Sequence, residues 1–336
     1  MDDRILLAHG SGGVMSHELI CDLFARYFSN PILDQLGDAA VLADLPAGRV
    51  ALTTDSYVVQ PLFFPGSDIG KLAVCGTVND LAVVGAVPRY LTAGFILEEG
   101  LSMETLERVV SSMAETAREA GVQIVTGDTK VVDHGAADGI FINTAGVGVV
   151  PDGLVLGPPE LRPGDKLLVN GALGDHGMAV MMKREGLAFD SSLESDCAPL
   201  NGLIAGLLAA VPGAVHCMRD ATRGGLATVL NEWAEVGVGI EIEEAQLPVH
   251  EAVHAACEFL GLDPLYAANE GKVVMAVAPD RASEALAFLR SHPLGREAAI
   301  IGEVTDTHAQ RVALCTLYGA RRILPMLTGA QLPRIC

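Results

Sequence analysis

Strand-like and helix-like runs alternate along this chain in two successive series, divided at 151–164 by a stretch rich in proline and glycine. The first series reads strand at 50–54, helix at 69–86, strand at 90–96 and helix at 103–120, then a strand pair at 122–126 and 139–150. Ser102 stands where an N-cap belongs and Gly121 where the following helix ends. The polar, glycine-containing stretch 127–138 reads as the loop between the paired strands. The second series has strand-like runs at 166–169, 238–242, 273–278, 300–304 and 311–315 and helix-like runs at 175–184, 200–210, 226–235, 249–260 and 281–289. Such alternation predicts an α/β fold of packed layers. With 336 residues, 50% of them hydrophobic, the chain holds more apolar material than one ordinary core needs. Two domains are therefore expected, 1–155 and 156–320. The remainder, 321–336, carries Pro325, Gly329 and Pro333 and reads as an extended, mobile tail.

Charge narrows the function classes. Lys and Arg total 22 against 42 Asp and Glu, a net charge of −20 that repels phosphate backbones, so no nucleic-acid partner is expected. The seven cysteines form an odd set without a CxxC pair, which argues against a disulfide framework and a structural zinc site. The start, MDDRILLAHGSGG, lacks the basic and apolar regions of a secretory signal. The apolar run 72–87 is broken by Asn79, Asp80 and glycines, so no membrane span is expected and the reading is cytoplasmic.

Candidate chemistry is concentrated in acidic motifs. Asp38 in LGDAAVL, Asp55 in TTDSYV, Asp128 in TGDTK and Asp220 in MRDATRGG each close a strand or open a turn, while Asn79 and Asp80 lie inside the apolar helical run. Separated carboxylates suit a magnesium nucleotide, because magnesium prefers oxygen ligands and retains several waters. An Asp beside Gly is more often a turn or cap residue than a ligand. Asp80 is different, since a carboxylate in an apolar helix needs a cation or a cleft. No Walker or dinucleotide fingerprint is present. Phosphates would have to meet the glycine-rich HGSGG (9–13) and TRGG (222–225), each ahead of a helical run; a flexible arm and an ordinary helix start are the alternatives.

In this order, HGSGG, LGDAAVL, TTDS, VNDLAVVGA, VTGDTK, RDATRGGL and ANEGK resemble the superfamily of aminoimidazole ribonucleotide synthetase, selenophosphate synthetase, thiamine-phosphate kinase and the hydrogenase-maturation carbamoyl dehydratases, the HypE family. The ending LPRIC is similar to the Pro-Arg-Ile-Cys terminus of the last branch. The resemblance implies a two-domain PurM-like fold whose N-terminal domains pair into a homodimer around a shared β-barrel, with ATP and Mg2+ in the cleft. It also implies a reaction. A carbamoyltransferase, HypF, loads a carbamoyl group onto Cys336; ATP drives its dehydration to a thiocyanate; the cyanide passes to iron in a HypC–HypD complex. By motif, Asp38, Asp55, Asp80, Asp128 and Asp220 become magnesium or ATP contacts with Asn79 beside them, and Lys130 and Glu270 become catalytic residues around the carboxamide. Arg334 is expected to offset the carboxylate charge beside the thiol. Two rivals stand beside this reading: a small-molecule ATP-dependent synthetase or kinase of the same superfamily, and a nucleotide-binding scaffold that only displays Cys336. The first is weakened because HGSGG contains no cysteine.

Overall fold

A computed structural model describes residues 4–42, 45–186, 193–329, 332 and 335–336. Arg334, assigned a charge-offsetting role above, lies outside the described residues. In chain order the first half contains α1 (Val14–Leu19), α2 (Arg26–Phe28), β1 (Arg49–Tyr57), β2 (Phe63–Phe64), β3 (Ser67–Asp68), α3 (Ile69–Val83), β4 (Val87–Glu98), α4 (Met103–Ala120), β5 (Gln123–Val132) and β6 (Ile140–Val150). The second half contains β7 (Lys166–Val169), α5 (Asp175–Arg184), α6 (Asn201–Ala210), β8 (Val215–Asp220), α7 (Gly225–Ala234), β9 (Gly239–Glu243), α8 (Glu251–Leu260), β10 (Val273–Val277), α9 (Ala282–Ser291), β11 (Ala299–Thr305), β12 (Val312–Cys315) and β13 (Arg321–Ile323).

Among the described residues the two halves build separate sheets, four strands in the order β1-β6-β4-β5 and seven in the order β13-β12-β9-β11-β7-β10-β8. This is a two-domain α/β fold. In the first sheet, β4 and β5 run parallel, joined by α4 as the crossover. That helix is amphipathic, burying Leu106, Val109, Val110, Met113 and Ala117 at three- and four-residue spacing. The Ser102 side chain accepts from the Thr105 N–H at 3.1 Å, and Gly121 closes the helix at φ 70°. Both expected caps are present.

One expectation is corrected. The stretch 127–138 is not a loop throughout, because β5 continues to Val132 by pairing Asp128 to Val132 with Gly94 to Glu98 of β4. Asp128 and Lys130 therefore sit on a strand, held by a ladder that the local polar composition conceals. Helix α3 also ends earlier than its apolar run, at Val83, where Val84 and Gly85 (φ 79°) turn the chain.

Helix α3 is buried on nearly every side. It packs on β1 and β6 of the first sheet and on α6 and β8 of the second half, so it forms the core of the seam. This explains why its sequence is apolar all round. In β1 the side chains of Ala51, Thr53, Asp55 and Tyr57 are the more buried set, and Val50, Leu52, Thr54 and Ser56 face out, with Val50 63% and Leu52 74% exposed. No helix among the described residues is long and apolar enough to cross a membrane.

Candidate active site

Where α3 meets the second half, the structure gathers one group of the expected residues. Asp80 is on α3, and its carboxylate accepts a hydrogen bond from Thr53 Oγ1 of β1 at 2.8 Å. Asp55, two residues along β1, lies 3.7 Å from the guanidinium of Arg223. Asp220 ends β8, and TRGG follows it to open α7. Glycine is required at the first helical position, Gly225, with φ +60°, because a Cβ there would stand 2.6 Å from the carbonyls of Leu265 and Ala267.

Burial, with the charges of Asp80 and Asp55, pushes the Asp220 carboxyl up to about 7, and burial likewise raises Asp80. Glu270 is 3% exposed, and burial together with Cys197, Asp220, Asp196 and Asp55 holds it well above the ordinary carboxylate range. Several buried or partly buried acids thus share one site, an arrangement typical of functional clefts. The donor set fits a hard cation, which would offset the burial and repulsion that raise the Asp80 and Asp220 carboxyls. Among the described residues no group of three or more His, Cys, Asp or Glu side chains can hold a metal unaided. Phosphate oxygens and water would have to complete a magnesium shell.

The end of the chain enters the same site. Ile335 is 3% exposed, and Cys336 packs against the core of the first half. The Val58 N–H donates to the Cys336 main-chain oxygen at 3.2 Å. Burial and the charges of Glu270 and Asp55, opposed by Arg223, push the Cys336 thiol up to about 12. Glu270 is thus one of the charges that the Cys336 thiol meets in this site.

Asn79 is near this group, with its amide committed to protein. Nδ2 donates to the carbonyls of Ala198 (3.1 Å) and Glu270 (3.2 Å), and Oδ1 accepts from the Leu200 N–H at 2.7 Å. It ties α3 to the loop that carries Glu270. Asp128 and Lys130 form a second group, paired at 2.7 Å and exposed. The register Asp55–Thr144–Ala93–Gly127 crosses the first sheet from edge to edge, so this pair stands three strand spacings from Asp55, about 14 Å. Its surroundings are a cavity of about 500 Å³ lined by His9, Gly10 and Gly12 of HGSGG and by Gly37 and Ala39, the neighbours of Asp38. The glycine arm, Asp128 and Lys130 thus share one pocket, apart from the thiol, with Asp38 exposed between two of its lining residues.

Several residues at the site were not anticipated. Asp196 accepts from the Glu270 and Gly271 N–H groups at 3.1 and 3.2 Å and from Lys272 Nζ at 2.9 Å, fixing the Glu270 loop. Lys272 was visible in ANEGK and Arg223 in TRGG. Asp196 had no motif, because its partner lies 76 positions away.

Two family models cover most of the chain, the N-terminal domain of AIR synthase related proteins at 36–150 and the C-terminal domain of the same group at 162–315. Together with the fold, they define a two-domain AIR synthase-related protein. The chain is 55% identical over 331 residues to the carbamoyl dehydratase HypE of Azotobacter vinelandii, spanning 98% of this chain and 96% of that protein. A crystal structure of HypE in complex with ATP superposes with TM-score 0.94 at 52% identity, covering 98% of this chain and 99% of the other. A HypE chain from a HypE–HypF complex gives 0.81 at 52% identity, covering 92% and 99%. The chain belongs to the HypE family of carbamoyl dehydratases, ATP-dependent enzymes of hydrogenase maturation.

Proposed function

We propose that the chain dehydrates an S-carbamoyl group on its own Cys336 to a thiocyanate, using ATP, and so supplies cyanide to the iron of a [NiFe]-hydrogenase. The observation that carries this reading is the position of Cys336 among Glu270, Asp55 and Arg223. A cleft that pushes the thiol up to about 12 disfavours a thiolate and accepts a neutral adduct, as an S-carbamoyl group is.

A carbamoyl oxygen leaves poorly, and ATP with Mg2+ supplies the phosphoryl group that converts it into a leaving group. Asp55, Asp80 and Asp220 would hold the cation at the seam, and Asp38, Asp128 and the glycine arm would hold the nucleotide. Lys130 would offset charge on the phosphoryl oxygens of a nucleotide bound beside it. Glu270 takes the amide protons, and its raised pKa is the direction a general base needs near neutral pH. Loss of phosphate leaves S–C≡N on Cys336.

In the same reading, residues 1–155 are the ATP-binding and dimerisation domain, 156–320 the second domain, and 321–336 a mobile tail that travels between cleft and partners. The outward apolar row of β1, Val50 and Leu52, supports a homodimer in which two such sheets close a barrel. The solved HypE–HypF complex supports HypF as a partner, and its loading role, like HypC–HypD as acceptor, comes from the family resemblance. The work is placed in the cytoplasm. The test is mass spectrometry of the carbamoylated chain given MgATP. The peptide ending in Cys336 should lose the mass of one water; an unmodified peptide under full ATP turnover would sink the reading.

A further inference from the structure

His176 is fully buried and has no part in the chemistry above, yet each of its ring nitrogens meets a polar atom. Nε2 lies 2.7 Å from the Ile335 carbonyl oxygen and Nδ1 lies 2.9 Å from Ser195 Oγ. A carbonyl only accepts, so Nε2 carries the proton. Burial pushes the imidazole below its usual pKa against the opposing charge of Asp196, so the ring is neutral and Nδ1 is an acceptor. Ser195 then donates its hydroxyl proton to Nδ1, and its oxygen accepts from the Cys197 N–H at 3.2 Å. The donors run in one direction, from Cys197 through Ser195 and His176 to the tail. Ser195 is itself anchored across the seam, its N–H donating to the Pro65 carbonyl at 2.8 Å. Phe64 holds the imidazole edge-on at 5.4 Å. At the next residue of α5, Gly177, the tail packs close to the helix, since a Cβ there would stand 2.9 Å from the end of the Leu332 side chain.

We propose that His176 is a positioning residue that seats the tail by its main chain, in a relay from Ser195 to the Ile335 carbonyl. The inference rests on the reading of Cys336 as the substrate carrier and adds how the carrier is held. The hydrogen bonds described at 335 and 336 fall on main-chain oxygens, from His176 and Val58, so neither is made to the sulfur or to a group it carries. One seat therefore serves the free thiol, the carbamoyl adduct and the thiocyanate. The segment that braces His176 also holds the base, because Asp196, next to Ser195, fixes the Glu270 loop.

The test uses the full chain and two near-isosteric variants. In His176→Gln the amide nitrogen reaches the place of Nε2 and still donates to Ile335; in His176→Asn it stops at the place of Nδ1 and does not. Iodoacetamide labelling, without ATP or partners, is followed by mass spectrometry at Cys336, with half-exposed Cys21 as internal control. His176→Asn should label at Cys336 about tenfold faster than the parent chain, the loss of one buried hydrogen bond, and His176→Gln within about twofold of it. Cys21 labelling should be equal in all three. Single-turnover dehydration of the loaded tail should fall in His176→Asn with KM for ATP unchanged. Equal Cys336 labelling in the parent and the Asn variant, or equally fast labelling in Gln and Asn, overturns the proposal. If the Asn variant does not fold, Ser195→Ala replaces it, with about a threefold increase expected and no increase overturning. A parent chain that labels slowly at Cys336 but never dehydrates a loaded tail would overturn the dehydratase reading instead, leaving the seat standing.

Discussion

Cys336 and Asp220 carry pH signatures of the same sign in different windows, because burial in the cleft raises both groups. The docked thiol keeps its proton up to about 12, while an undocked one loses it near 9.0, so between those values the docked state holds the extra proton. Docking is fully favoured below 9 and weakens as pH rises through that window. Cleavage of the tail by a carboxypeptidase should therefore accelerate from pH 8 to pH 10. The S-carbamoylated chain, with no thiol proton to lose, should show no such change, and equal acceleration in both forms would locate the effect elsewhere. Asp220 titrates near 7 instead of 3.8, so between these values the folded state binds more protons and stability falls as pH rises. Asp220→Asn should stabilise the fold at pH 8 by on the order of 1–2 kcal/mol, with a smaller gain at pH 5.5, read as denaturant midpoints. The same change should lower ATP turnover at least about tenfold, because the cation proposed at the seam would lose a ligand.

At the scale of elements, local signals and long-range ones separate cleanly. Ser102 and Gly121 bound α4 by contacts within a few residues, and both were legible in the sequence. Ser102→Ala should cost about 1 kcal/mol by thermal melting, since one cap hydrogen bond to Thr105 is lost. An unchanged melting temperature would mean that tertiary packing alone holds the helix end. By contrast, the extension of β5 through Asp128 and Lys130 depends on β4, some 34 positions earlier, and its polar residues read as a loop. The same holds for the segment 195–197. Its three residues face His176, Glu270 and Cys75, all distant in sequence, so no spacing rule marks it.

For the whole molecule, the proposed homodimer rests on the exposed side of the first sheet. Leu52→Glu, on the outward row of β1, should convert a dimer to a monomer in sedimentation while leaving α3 and its buried face intact. A dimer that persists in Leu52→Glu would place the contact on another surface. The sequence alone determined the α/β alternation, the two-part organisation, the acidic motifs and the cysteine at 336, because periodicity, caps and turn residues are local and the motifs are short and ordered. Only the tertiary structure decided their grouping. Asp55, Asp80, Asp220, Glu270 and Cys336 meet at the seam around α3, while Asp128 and Lys130 join the glycine arm some three strands away. The physical reason is that a carboxylate's role depends on which charges and how much water surround it after folding. Those neighbours come from both domains, and no stretch of the chain carries them together.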